Sequence, residues 1–252
     1  MTRHRTCPFA LVTAGLVVTA AVLLNAQPVD TLYAGHAHLH GRELPLGTQV
    51  FHSFKIEDAT KTPLNTTVQT ISRADYDGIA VYKIESKHFS ASDTTVGRIV
   101  IRQDDFSLVH HVVRARHDST SVSYAAGFLT GWVVLPGKPT RLLQKELQRR
   151  VFPVDGPAPW FVSLLPLQES YKAVVPRFSQ WEGKEKLSII EVVGTEQLDW
   201  NGRKLECWLV DGGELGPPGY RAFLWIDKTT QRVLQTALRG RPGQVEYSSI
   251  VE

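Results

Sequence analysis

The sequence predicts a mainly β protein built on an antiparallel sheet, and three observations carry that expectation. Apolar and polar residues alternate with period two through most of residues 50–251. The alternating runs are punctuated by turn clusters such as Asp75-Tyr76-Asp77-Gly78 and Asp199-Trp200-Asn201-Gly202. Short turns, not helices, join the runs, and such connections favour antiparallel pairing. About 10–12 strands at this spacing suit a barrel or sandwich.

Taken in order, strands are expected at residues 50–56, 68–73, 79–87, 95–102, 106–115, 119–125 and 131–135. Pro136-Gly137-Lys138-Pro139 then breaks the chain. Further strands are expected at 171–176, 186–193 and 203–210. A loop covers 211–219, a hairpin pairs 221–227 with 232–238, and a last strand runs over 244–251. Two segments depart from this pattern. Residues 140–152 are rich in helix formers, with Leu143, Leu147 and Val151 four apart, yet their flanks look like strand ends. Residues 156–167 begin with Pro157 and Pro159, end near Pro166, and place Trp160/Leu164 and Phe161/Leu165 four apart. That predicts a helix of about two to three turns packed on the sheet. It is apolar nearly all round, so it is either buried on several sides or docked on something removable.

The chain has 252 residues, 42% hydrophobic and 21% charged, which excludes disordered and collagen-like classes. Lys+Arg 28 against Asp+Glu 25 gives +3; without Arg3 and Arg5 the balance is 26 minus 25, or +1. So weak a charge provides no footprint for nucleic acid. The two arginines precede an uncharged run from Pro8 to Leu24, followed by Asn25-Ala26-Gln27. This is the order of a secretory signal at residues 1–26, with cleavage before Gln27. An uncleaved anchor is the alternative, since the run sits between signal and membrane-span lengths and Leu24 is large for its place. Residues 27–47 read as an irregular segment and 48–252 as a single β domain. The expected location is exported, in the periplasm or cell envelope.

The motifs of familiar chemistry are missing. There is no His-Glu-x-x-His, no Gly-x-Ser-x-Gly and no paired-cysteine zinc spacing, and acidic residues occur singly. No catalytic residue, metal ligand or cofactor is nominated. His36-Ala37-His38-Leu39-His40 could bring three imidazoles to one face of an extended segment, but no carboxylate or cysteine accompanies them. His110-His111 places one ring on each face of a strand. Gly212-Gly213-Glu214-Leu215-Gly216 lacks the Lys-Ser/Thr of a phosphate loop. Cys207, alone once Cys7 is removed, reads as a buried thiol. Six tryptophans remain to be placed. They either pack the core or line a site for an apolar ligand.

From about Leu142 onward the chain resembles an uncharacterised family of exported bacterial proteins, a numbered domain of unknown function. That family's fold is akin to the LolA/LolB-like half-barrel of periplasmic lipoprotein carriers. The resemblance rests on Val151-Phe152-Pro153-Val154-Asp155, Leu164-Leu165-Pro166-Leu167, residues 171–178, Val192-Val193-Gly194-Thr195-Glu196, Cys207-Trp208-Leu209-Val210 and the hairpin Leu224 to Leu234. It implies a curved antiparallel half-barrel with the Trp160 helix on its apolar concave face, and it makes residues 141–152 strand. The long amphipathic helix of the carriers is missing.

Three functions follow as expectations. The first is a non-enzymatic envelope protein that binds an apolar ligand, lipid or acylated partner in the concave sheet, through Trp160, Phe161, Leu164, Trp208 and Trp225, with membrane association at the envelope. The second is a structural or interaction protein with a filled core. The third is a hydrolase whose site is assembled from distant residues. A cavity of about 300–1,000 Å³ inside the sheet favours the first and a solid interior the second.

Overall fold

A computed structural model describes residues 29–57, 60–148, 150–152, 158–214, 220–240 and 244–251. The expected signal or anchor lies outside the described residues, as does the N-terminal edge of the expected helix. Fifteen strands and one short α-helix are described. The first eight strands are β1 (Asp30–Thr31), β2 (Gly47–Glu57), β3 (Thr60–Tyr76), β4 (Ile79–Ser90), β5 (Thr94–Arg102), β6 (Leu108–Arg114), β7 (Ser119–Ala125) and β8 (Phe128–Val134). They are followed by β9 (Arg141–Glu146) and helix α1 (Pro159–Val162). Then come β10 (Lys172–Ser179), β11 (Lys184–Trp200), β12 (Arg203–Glu214), β13 (Arg221–Asp227), β14 (Val233–Arg239) and β15 (Gln244–Val251).

The pairing order is simple. Strands β2 to β9 form one antiparallel meander and β10 to β15 another. The two are joined by β15 on β2, from Gln244 opposite Glu57 to Val251 opposite Val50. β1 adds a short parallel pair on the free edge of β10. The fifteen strands exceed the expected 10–12: all thirteen alternating runs form strands, and β9 and the two-residue β1 join the same ladder. Three hairpins turn through two residues at positive φ: Asp77-Gly78, Ala126-Gly127 and Asn201-Gly202. Such turns match the right-handed twist of the flanking strands. At Gly131 the chains approach so closely that a Cβ would stand 2.0 Å from the Ser121 carbonyl oxygen.

The sheet is strongly curved. Arg141, at the start of β9, donates to the carbonyls of Gln180, Trp181 and Glu182 in the β10–β11 turn. β9 and β10 stand thirteen places apart in the pairing order, roughly 60 Å on a flat sheet. Their contact requires the sheet to curl back on itself. No ladder runs between β9 and β10 among the described residues, so the sheet stays unclosed; only Phe152 bridges to Arg177. Register shifts at Ser53/Phe54, Val100/Ile101, Val192/Gly194, Asp211/Glu214 and Trp225/Ile226 supply bulges that bend the strands.

The curve encloses one main core. It gathers Phe51, Ile71, Ile84 and Ile101 from the first meander with Val175, Ile190, Val210 and Leu224 from the second. Two non-strand segments fill the middle. Leu32, Ala34, Leu39 and Leu44 come from the N-terminal segment, which is mostly irregular and contributes these four side chains to the core. Trp160, Phe161, Val162, Leu164 and Leu165 come from α1 and the turns after it. The expected two to three helical turns shrink to four residues. Beyond Val162 the backbone tightens to three-residue steps, Leu164 N–H to Phe161 O and Leu165 N–H to Val162 O, before Pro166. The helix formers of 141–152 yield to tertiary pairing: residues 141–146 are strand, paired with β8.

A second cluster packs Leu108, Val122, Leu129, Val133, Leu143, Leu147 and Val151 with Phe178 of β10, so side chains span the unclosed seam. A third lies on the opposite face of β12–β14 from the main core: Cys207, Trp225, Leu234 and Ala237, flanked by Leu205, Leu209 and Phe223.

Candidate functional site

The residues expected to bind an apolar ligand divide into two groups. Trp160, Phe161 and Leu164 meet inside the curved sheet, each 3% exposed or less. The Phe161 ring lies 4.2 Å from Phe152 and 6.0 Å from Trp160, centroid to centroid. Trp208, partly buried, packs against the edge of the same core, with the Lys228 ammonium 4.1 Å from its ring centroid. Trp225 belongs to the other face. β13 alternates Leu224 and Ile226 inward with Phe223 and Trp225 outward, and both sets are covered, as the doubly apolar strand requires. The Trp225 indole N–H donates to Glu196 Oε2 at 2.7 Å, and the Arg239 guanidinium lies 5.6 Å from its ring. The structure therefore does not bring these five residues to one wall.

Clefts open on the outside of the molecule. One, of about 350 Å³, lies between the tip of the β11–β12 hairpin and the β13–β14 turn. A second, of about 470 Å³, is bounded by Tyr33, Ala34, Gly35, Gln148 and Arg150. A third, of about 760 Å³, runs beside β10 and β11. Trp181, Leu187 and Ile189 form its apolar part and Arg177, Lys186, Arg221, Glu182 and Glu214 its charged part. Leu187 is 70% exposed and Ile189 48%, on alternate positions of one strand face. Arg177 is itself buried and donates from Nε to Ser188 Oγ at 2.6 Å. Arg221 donates to Asp211 Oδ2 at 2.6 Å and 3.0 Å, which raises the guanidinium pKa. Hydrogen bonds from Lys184 and Lys186 hold the Glu182 carboxyl down at about 2. Sequence patterning could not show these clefts, because their walls come from segments distant along the chain.

The other residues singled out by sequence have local explanations. His36 caps a single 3₁₀ turn at Ala37–Leu39, its Nδ1 accepting from the His38 backbone N–H. Among the described residues no group of three His, Cys, Asp or Glu side chains is placed to hold a metal ion. His110 shares a hydrogen bond with Ser121 Oγ at 3.0 Å. His111 is held neutral by burial, with its pKa lowered to about 4, the neighbouring His110 adding to the effect. Burial, followed by the nearby Asp227 charge, pushes the Cys207 thiol up to about 11, so it is an inert side chain at neutral pH. Of the glycine-rich stretch, residues 212–214 complete β12, and the Gly213 N–H donates to Asp211 Oδ1. Among the described residues no helix is long and apolar enough to cross a membrane. No family model matches the chain, and no curated protein matches it.

Proposed function

We propose that this is a non-enzymatic protein of the bacterial cell envelope that acts through its outer surface, as a structural or interaction module. The supporting observation is the way the curved sheet is filled. Trp160, Phe161, Leu164 and Leu165 occupy its interior with less than a twentieth of their surface exposed, within the main core cluster. Apolar surface is offered outside instead, by Leu187 and Ile189 within a charged rim. Exposed apolar patches rimmed by polar groups mark interaction surfaces.

A second reading keeps the apolar ligand, lipid or acylated partner inside the sheet. It is favoured by the nature of the filling, since a four-residue helix and its turns, not strands, occupy the place of a ligand. Two measurements separate the readings. The first is mass spectrometry of organic extracts from protein made in a bacterial periplasm. The second is titration with a fluorescent fatty acid. The outer-surface reading expects no fatty-acid uptake and no lipid whose retention depends on Trp160 and Leu164. It also expects Leu187→Asp with Ile189→Asp to release the protein from the envelope fraction while its melting temperature holds. Stoichiometric lipid, displaced by Trp160→Asp with Leu164→Asp, establishes the interior reading instead.

A further inference from the structure

The cleft between the β11–β12 tip and the β13–β14 turn has walls fixed to each other. The Lys228 backbone N–H donates to the Glu206 carbonyl at 3.0 Å, and the Lys228 ammonium pairs with the Glu206 carboxylate at 2.7 Å. The first hairpin contributes Trp200, Arg203 and Leu205, and the second Asp227, Arg232 and Leu234. Trp200 and Arg203 sit directly opposite each other across the hairpin. Arg203 shares its strand face with Leu205, so the indole, one guanidinium and an aliphatic floor meet on one side.

The charges in this cleft are unevenly committed. Five described arginines have a fixed carboxylate partner: Arg73 with Glu43, Arg98 with Glu85, Arg102 with Asp104, Arg150 with Asp105, Arg221 with Asp211. Among the described residues the guanidinium groups of Arg203 and Arg232 have none; the bond Arg232 donates is from its backbone N–H to Thr230 Oγ1. The one carboxylate lining the cleft, Asp227, is buried and turned into its own loop. Its Oδ1 accepts from the Thr229 N–H at 3.1 Å and its Oδ2 from the Thr230 N–H at 3.3 Å and the Thr230 hydroxyl. Its acceptor oxygens are thus taken by the turn, and the two forks of donors face the cleft unopposed.

We infer that this cleft binds a phosphate monoester carried on a flat or apolar body. Guanidinium forks match phosphate oxygens in bidentate geometry, and two of them supply more donors than a carboxylate can accept. The Trp200 ring, with Leu205 and Leu234, provides the surface for the organic part. About 350 Å³ accommodates a small ligand. The ester could belong to a soluble metabolite or to a lipid headgroup, and the recognition chemistry is the same for both.

The test is a titration of the ¹⁵N-labelled protein with phenyl phosphate, following the indole and arginine Nε–H signals. Saturable shifts are expected at Trp200, Arg203 and Arg232. Inorganic phosphate should bind at least tenfold more weakly, and benzoate likewise. Arg203→Ala with Arg232→Ala should abolish the shifts while the remaining spectrum and the melting temperature hold, since neither side chain supports the fold. The more conservative Arg203→Lys with Arg232→Lys should retain charge but weaken binding about tenfold. Competition by phosphatidic acid vesicles, and not by phosphatidylcholine vesicles, assigns the ester to a lipid headgroup; competition by neither assigns it to a soluble ester. The proposal is overturned by an absence of saturable shifts, by shifts that persist in the double alanine variant, or by benzoate binding as tightly as phenyl phosphate.

Discussion

Trp225 shows what a single buried side chain does on the outer face of the sheet. Its ring packs with Cys207, Leu234 and Ala237, and its one polar atom is satisfied by Glu196. Trp225→Ala should therefore destabilise by about 3–5 kcal/mol in denaturant melts. Trp225→Phe keeps most of the apolar contact, loses the hydrogen bond, and should cost about 1 kcal/mol; equal losses for the two would show that the ring contributes little packing. His111 makes a pH-dependent contribution. Its native pKa, lowered to about 4 from 6.5, means that the unfolded chain binds a proton that the native state refuses between those values. Stability therefore falls as pH drops from about 6.5 to about 4, by at most about 1.4 kcal/mol per pH unit from this group. Stability curves of His111→Leu should lack that component. At this scale burial was largely legible: alternation alone places Leu224 and Trp225 on opposite covered faces. The open cleft at Arg203 and Arg232 was not, because two arginines 29 positions apart in sequence carry no local sign that they share a wall.

Among the elements, the turns separate what could be read from what could not. Asp77-Gly78 and Asn201-Gly202 announce their hairpins, since Asp, Asn and Gly tolerate positive φ. Ala126-Gly127 makes the same turn with Ala126 at φ +50, and an alanine gives no such notice. The strand after it was accordingly expected to start at 131, three residues late. Ala126→Asn should stabilise the protein by about 0.5–1 kcal/mol, because it relieves a left-handed alanine; a lower melting temperature would show that the side chain is needed. The strand at 141–146 was hidden by its own helix formers. Its geometry is set from outside, by β8 and by the carbonyls that Arg141 gathers. The helix was foreseen in place but not in length, because the apolar pattern persists through three-residue turns that patterning cannot distinguish from α-helix.

For the molecule as a whole, curvature is the property that sequence periodicity could not convey. Alternation defines two faces of a sheet but not how far the sheet bends. The bending is recorded in bulges and in the contact of β9 with the β10–β11 turn. Arg141→Ala should loosen that seam. Amide exchange in β9 and the β10–β11 turn should then rise at least tenfold while the protected centre at β12–β13 is unchanged; uniform acceleration would mean that the seam and the centre open as one unit. The pairing order has a further consequence for a chain that is made from one end. Strands β2 to β9 can zip up hairpin by hairpin as they emerge, but Glu57, already opposite Thr60, finds the partner for its other edge only when Gln244 arrives, 187 positions later. Until then the edge of β2 is an unmatched template beside a half-built interior. Joining the two meanders is the slow, long-range step, and a chaperone that shields that edge during synthesis would spare the protein its most aggregation-prone interval.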